Sequence, residues 1–202
     1  MNRTFFLLYL IIILLFGCKK EKSPPYYKIS NEFRNWVDFQ EGSYWIYKND
    51  ISGLTDSVYC KNRYSTTIIR QGSPYYYDVI NIDFSANNLV QWSFISVNPD
   101  FEGVNMDGLG YSLRSNTNLG QNIIWDNEIY QYSNHYDSLL IIDNIFFNVI
   151  HTHIVKEHNI EHDSIIGDFY FSKFIGLIKY KKKLQNDGID TTWSLIKWKI
   201  IQ

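Results

Sequence analysis

His151 and His153 have the type and spacing in this chain best suited to chemistry. They stand at i and i+2 in Ile150-His151-Thr152-His153-Ile154, an alternation that reads as a strand, so both imidazoles leave one face about 6.6 Å apart along it. Zinc there would need each ring nitrogen at about 2.0–2.1 Å and one or two more ligands from neighbouring strands. The run Glu157-His158-Asn159-Ile160-Glu161-His162-Asp163 is predicted as the hairpin tip beyond them, where His158, His162 and three carboxylates could hold a surface metal. No HExxH helix or other zincin spacing occurs. That favours the plainer alternative, two polar residues on a solvent face followed by a hydrophilic turn.

Other reactive groups point away from catalysis. Cys60 lies in Asp56-Ser57-Val58-Tyr59-Cys60-Lys61, an alternating strand-like segment. It brings neither the histidine partner nor the electropositive pocket that a thiolate nucleophile requires. There is no G-x-S-x-G, no Ser-x-x-Lys in a helical setting and no phosphate-binding glycine loop. Acidic residues are scattered over turns, which gives no paired carboxylates for glycoside chemistry. Asp100 to Gly108 is rich in oxygen donors but lacks the EF-hand register. Tyr75-Tyr76-Tyr77 and Tyr130, Tyr132 and Tyr136 could stack on sugar rings or line an apolar cavity. Sheets also use tyrosine routinely in cross-strand pairs. Lys179, Lys181, Lys182 and Lys183 form a small basic patch near a strand end. The expectation is a non-enzyme with no cofactor.

The beginning of the chain is more specific. Asn2 and Arg3 precede an uncharged apolar run from Phe5 to Phe16, and Lys19 and Lys20 follow it. Twelve residues at 1.5 Å rise cover about 18 Å, too short for a bilayer core of about 30 Å. This is the three-region pattern of a secretion leader. Leu15-Phe16-Gly17-Cys18 resembles the bacterial lipobox, with Phe16 departing from the small or β-branched residue usual at its place. The resemblance implies cleavage after Gly17 and a mature chain starting at Cys18. That residue would carry a thioether-linked diacylglycerol and an amide-linked acyl chain such as palmitate. One chain of myristoyl length holds only marginally, at about 0.8 kcal/mol per CH₂, whereas three make release negligible. Lys19 rather than Asp after the cysteine implies an outer-membrane address. The lack of an acidic cluster there implies a periplasm-facing protein.

Composition bounds the rest. The 202 residues carry a net charge of −2, 45% hydrophobic and 17% aromatic residues, enough apolar surface for one folded domain. The charge argues against nucleic acid, which requires a basic field. Residues 1–17 are thus assigned to the leader, 18–29 to a lipidated tether stiffened by Pro24-Pro25, and 30–202 to a single β domain.

Within that domain Ser30 is placed to cap a short helix, with Phe33, Trp36 and Val37 on one face. Beyond Gly42 the period becomes two. Runs rich in Tyr, Ile, Val, Phe and Thr alternate with turn residues such as Asn49-Asp50, Gly72-Ser73-Pro74, Asp143-Asn144 and Asn186-Asp187-Gly188. Residues 99–122 read as long loops around one weak strand. Ten or eleven strands on short links make an antiparallel meander. Its width requires curling or closure to hide the edges and the apolar face. The predicted class is all-β, a strongly curved sheet or barrel with one short N-terminal helix; a β-sandwich is the alternative.

Phe39-Gln40-Glu41-Gly42-Ser43-Tyr44-Trp45-Ile46-Tyr47 resembles a stretch found in small uncharacterised Bacteroidetes lipoproteins. So do Tyr170 to Tyr180 and Trp193 to Ile196. The likeness implies an envelope lipoprotein and an all-β domain and brings no catalytic or ligand residues. Three functions follow as expectations. The first is a non-catalytic binding or assembly role, with membrane lipid as partner through acylated Cys18. The others are carriage of an apolar ligand in a β cavity and metal-dependent hydrolysis at His151 and His153.

Overall fold

The structure, a computed structural model, describes residues 23–69, 75–86, 92–98, 101–106, 111–114, 123–125, 129–156, 165–184 and 190–202. Side chains are described for 23–69, 75–86, 132–155, 167–182 and 191–202. The leader with Gly17 and Cys18, the 157–163 tip, the 186–188 turn and the side chains of 100–108 lie outside these residues.

Ser30 opens the helix α1 (Asn31–Val37), its hydroxyl accepting from the Phe33 N–H at 3.1 Å. That bond satisfies one of the donors a helix start leaves unpaired. Phe33, Trp36 and Val37 are buried, as their spacing predicts.

The rest is strand. β1 (Tyr26–Tyr27), β2 (Tyr44–Asn49), β3 (Thr55–Ile69), β4 (Tyr76–Ser85), β5 (Trp92–Asn98), β6 (Phe101–Met106) and β7 (Tyr111–Arg114) form the first half. β8 (Ile123–Trp125), β9 (Ile129–Ile141), β10 (Asn144–Lys156), β11 (Ile165–Ser172), β12 (Gly176–Leu184) and β13 (Asp190–Lys199) form the second. They make one sheet in the order β7-β6-β5-β4-β3-β2-β13-β12-β11-β10-β9-β8, with β1 added parallel to β4. Two meanders therefore meet where β13 pairs with β2.

That order dictates the shape. In a flat sheet β7 and β8 would lie eleven spacings apart, about 53 Å at 4.8 Å each. They are consecutive in the chain with only residues 115–122 between them, a link that reaches at most about 32 Å. The sheet must curl, and it forms a half-barrel, with β7 returning to within contact of β10. The predicted curved all-β sheet is the fold, and a sandwich of two sheets is not.

The core lies on the concave side. Trp45, Tyr47, Val58, Ile80, Phe146, Phe169, Phe171, Ile178 and Leu195 are buried there under α1 and Phe39. Trp45 meets Phe39 edge-on at 5.0 Å and Phe84 at 5.7 Å. Its indole N–H donates to the Ile175 carbonyl at 2.7 Å, and the Tyr47 hydroxyl donates to that of Leu177 at 2.8 Å.

Several elements differ from the sequence reading. Residues 101–114 hold two strands instead of one weak one. Residues placed in the tether belong to the domain: Tyr26–Tyr27 form β1 and Ile29 is buried. Along β13 a register shift between Leu195 and Lys197 breaks the strict alternation and brings Trp198 opposite Trp45.

The β9–β10 turn is one residue earlier than predicted, at Ile142-Asp143. Ile142 there has φ of 53°, the left-handed region that costs a side chain with a Cβ about 1–2 kcal/mol. Glycine pays no such penalty, though it gives back part of the gain through its freer unfolded state. Ile142→Gly should raise stability by about 0.5–1 kcal/mol, read as an upward shift of the urea midpoint with an unchanged slope.

Candidate functional site

β10 carries His151 and His153 on the face opposite the core, since the intervening Thr152 and the following Ile154 are buried. Cross-strand register then fills the surrounding positions. His151 lies opposite Asn134 on one side and Tyr170 on the other, and His153 opposite Tyr132 and Asp168. One strand further, Asp168 pairs with Lys181 and Tyr170 with Lys179. The outer face of β9 to β12 therefore presents tyrosine, histidine, aspartate and lysine side by side.

Asp168 organises the group. His151 Nε2 and His153 Nδ1 both lie 2.8 Å from Asp168 Oδ1. A carboxylate only accepts, so each ring donates an N–H, His151 through Nε2 and His153 through Nδ1. The His151 ring stacks on Tyr170 at 4.2 Å and 5°, with Tyr136 on its other side at 6.5 Å. His153 is the more exposed, 39% against 14% for His151.

Burial alone would raise the Asp168 pKa. The hydrogen bonds from His151 and His153, with their charge, outweigh it and hold the carboxyl below its ordinary value. Burial pushes the Tyr170 hydroxyl up, and the Asp168 and Tyr136 charges add to that. The cluster is a fixed hydrogen-bonding and stacking surface.

The metal expectation at His151 and His153 gains a third polar group in Asp168, which the sequence reading missed. Both donated N–H groups converge on one oxygen, a hydrogen-bonded arrangement rather than an open coordination sphere. Among the described residues no group of three His, Cys, Asp or Glu side chains is arranged to hold a metal ion.

Several other candidate residues have packing or ion-pair partners in the structure. Tyr75 packs edge-on against Tyr27 of β1 and beside Tyr77. Lys179 lies 3.6 Å from Asp50, which also accepts from the Ser194 hydroxyl. Cys60 is buried, and burial, with Glu41 adding to it, pushes its thiol up to about 11.

A second polar cluster ties α1 to the sheet. Asp38 receives Arg63 through both oxygens at 2.7 and 2.8 Å and Arg34 at 2.9 Å. Asp78 receives the hydroxyl of Tyr26 and lies 3.8 Å from Arg34. Beside it, Asn31, Arg34, Asn35, Asp38, Gln40 and Gln202 line an open polar cleft of about 220 Å³.

No family model matches this chain, and no curated protein does either. Among solved structures it is similar to a predicted lipoprotein from Parabacteroides distasonis ATCC 8503, a crystal structure at 2.70 Å. The two share 12% identity over 79% of this chain and 96% of the other, with a TM-score of 0.34. No described helix is long and apolar enough to cross a membrane.

Two outcomes test these environments. A folded-state carboxyl pKa below the unfolded value of about 3.9 means that the native state binds fewer protons in that window. Asp168 thus stabilises the fold above it and loses that contribution as pH falls through the lowered value. Asp168→Asn should flatten the acid limb of the stability profile below about pH 5, measured by urea unfolding at stepped pH. Separately, Cys60 should resist iodoacetamide at pH 8 in the native protein and react within minutes once urea unfolds it, followed by intact-mass measurement.

Proposed function

We propose that the chain is an acylated lipoprotein of the bacterial envelope, exported by residues 1–17, cleaved after Gly17 and held to the outer membrane, facing the periplasm, by acyl groups on Cys18. The observation that carries this reading is the charged, short apolar leader ending in Leu15-Phe16-Gly17-Cys18. The domain's first strand, β1, starts at Tyr26, so residues 18–25 are left as the leash between lipid and sheet.

The β domain serves a non-catalytic binding or assembly role through the face centred on Asp168. Stacked His151 and Tyr170, with the neighbouring Tyr136, offer a rigid aromatic surface with hydrogen-bonding edges. Such a surface suits a polar, planar or cyclic ligand or a protein loop. Convergence of both histidines on one carboxylate oxygen and the high thiol pKa of Cys60 support binding over catalysis. Carriage of an apolar ligand is less favoured, because the described concave side is filled by aromatic side chains and the cleft by α1 is polar.

Mass spectrometry of the native protein purified from membranes tests the reading. The expected mature mass starts at Cys18 with three acyl chains attached, and Cys18→Ser abolishes both acylation and membrane retention. Retention of the Cys18→Ser protein as before would sink the proposal. A bound zinc ion in the same spectrum would move the assignment to the metal-dependent reading.

A further inference from the structure

The registers place four features at one end of the sheet. The β9–β10 turn and the β11–β12 turn lie there, next to the end of β13 and the start of β2, which pair Lys199 with Tyr44. β3 continues past Tyr44 to that end, where Ile69 pairs with Tyr76 and Tyr76 with Tyr26 of β1. The tether therefore leaves the domain at the same end of the sheet as the β9–β10 hairpin tip.

That tip is apolar on both faces. Ile141 and Phe146 point into the core, Phe146 packing at 5.4 Å on Trp198. Leu140, Ile145 and Phe147 point the other way and are 64%, 61% and 63% exposed, with Leu140 directly opposite Ile145. Ile142 at the turn is exposed as well, and so is Phe174 in the neighbouring β11–β12 turn. Both hold positive φ, 53° and 66°. Bulky side chains at the tips of turns in a conformation they disfavour are outliers that point to use rather than packing.

We infer that this apolar rim, Leu140, Ile142, Ile145, Phe147 and Phe174, seats in the lipid surface into which the Cys18 acyl chains insert. The inference rests on the proposed acylation at Cys18. The occupant follows from the leash: eight residues, 18–25, reach at most about 29 Å, and they end on the side of the sheet that carries the exposed side chains. Lys19, Lys20 and Lys22 in the leash suit anionic headgroups beside it. Ile51 and Leu54 are also exposed, but in the β2–β3 turn at the opposite end, facing away from the anchoring surface.

The test uses the full acylated protein in vesicles of phosphatidylethanolamine and phosphatidylglycerol, with a nitroxide on Ile145→Cys, Phe147→Cys or Leu54→Cys. Cys60 stays unlabelled because it is buried. Flotation with the vesicles reports the anchor, and collision rates with oxygen and with a water-soluble nickel chelate report depth. The expected result is flotation of all three, oxygen-dominated labels at 145 and 147, and a nickel-dominated label at 54. Flotation with all labels equally open to nickel would overturn the seating and leave the anchor standing. Failure to float would overturn the anchor, and the seating with it.

Discussion

Two side chains of β2 hold the curl of the sheet. The Trp45 indole and the Tyr47 hydroxyl both reach past β13, the neighbour of β2, to carbonyls at Ile175 and Leu177 at the head of β12. Buried donors of this kind must find acceptors, and an unmet one costs about 1–3 kcal/mol. Flattening the sheet would break both bonds and expose the rings at once. Because the two meanders meet at the β13–β2 pair, these bonds span the seam between them. The short β7–β8 link requires curvature; Trp45 and Tyr47 fix how that curvature is filled.

The helix and the two turns above the seam follow from it. Ile175, which accepts from Trp45, ends the turn that contains Phe174, and the Phe174 N–H donates to the Asn35 carbonyl of α1 at 2.6 Å. Asp38 then joins α1 to β3 by accepting from Arg34 and Arg63. Two guanidinium groups on one buried carboxylate compensate its desolvation in a way a single pair rarely does. The rim is thus built from polar bonds under a skin of exposed hydrophobic side chains.

Side-chain alternation made the class and the curvature legible in the sequence. It also showed the placing of His151 and His153 away from the core, while the i, i+3, i+4 spacing of Phe33, Trp36 and Val37 showed the apolar face of α1. Register was not legible, because a slip of one residue moves every side chain to the other face. A tip centred on residue 160 sets His153 opposite Gly167; the true pairing is with Asp168, the residue that makes the histidines a cluster. Nothing in Ile165-Ile166-Gly167-Asp168-Phe169 announces this beyond a lone charge in an apolar strand. The bulge in β13 and the parallel β1 escaped for a related reason: both are set by neighbouring strands, not by local period.

The hairpin that carries the rim can seat only shallowly. Residues 144–147 of β10 pair with β9, but the β11 register begins at Val149, and β8 pairs only with residues 129–131 of β9. The Phe147 and Asn148 carbonyls accept from the Ser172 hydroxyl and the Lys173 N–H, but nearer the turn the hairpin edges lie beyond the β11 and β8 registers. Backbone groups left unpaired cost several kcal/mol each in hydrocarbon. A depth of about 5–10 Å, where water and headgroups still reach the edges, lets the side chains leave water while the backbone stays solvated. Five side chains at that depth make a weak site for a free protein. With the proposed acyl anchor at Cys18 holding it, the rim would work at an effective concentration of order millimolar, and weak contacts would become populated. On that proposal orientation follows without a second anchor: the rim faces lipid, and the Asp168 face, on the flank of the sheet, is left open to the aqueous side.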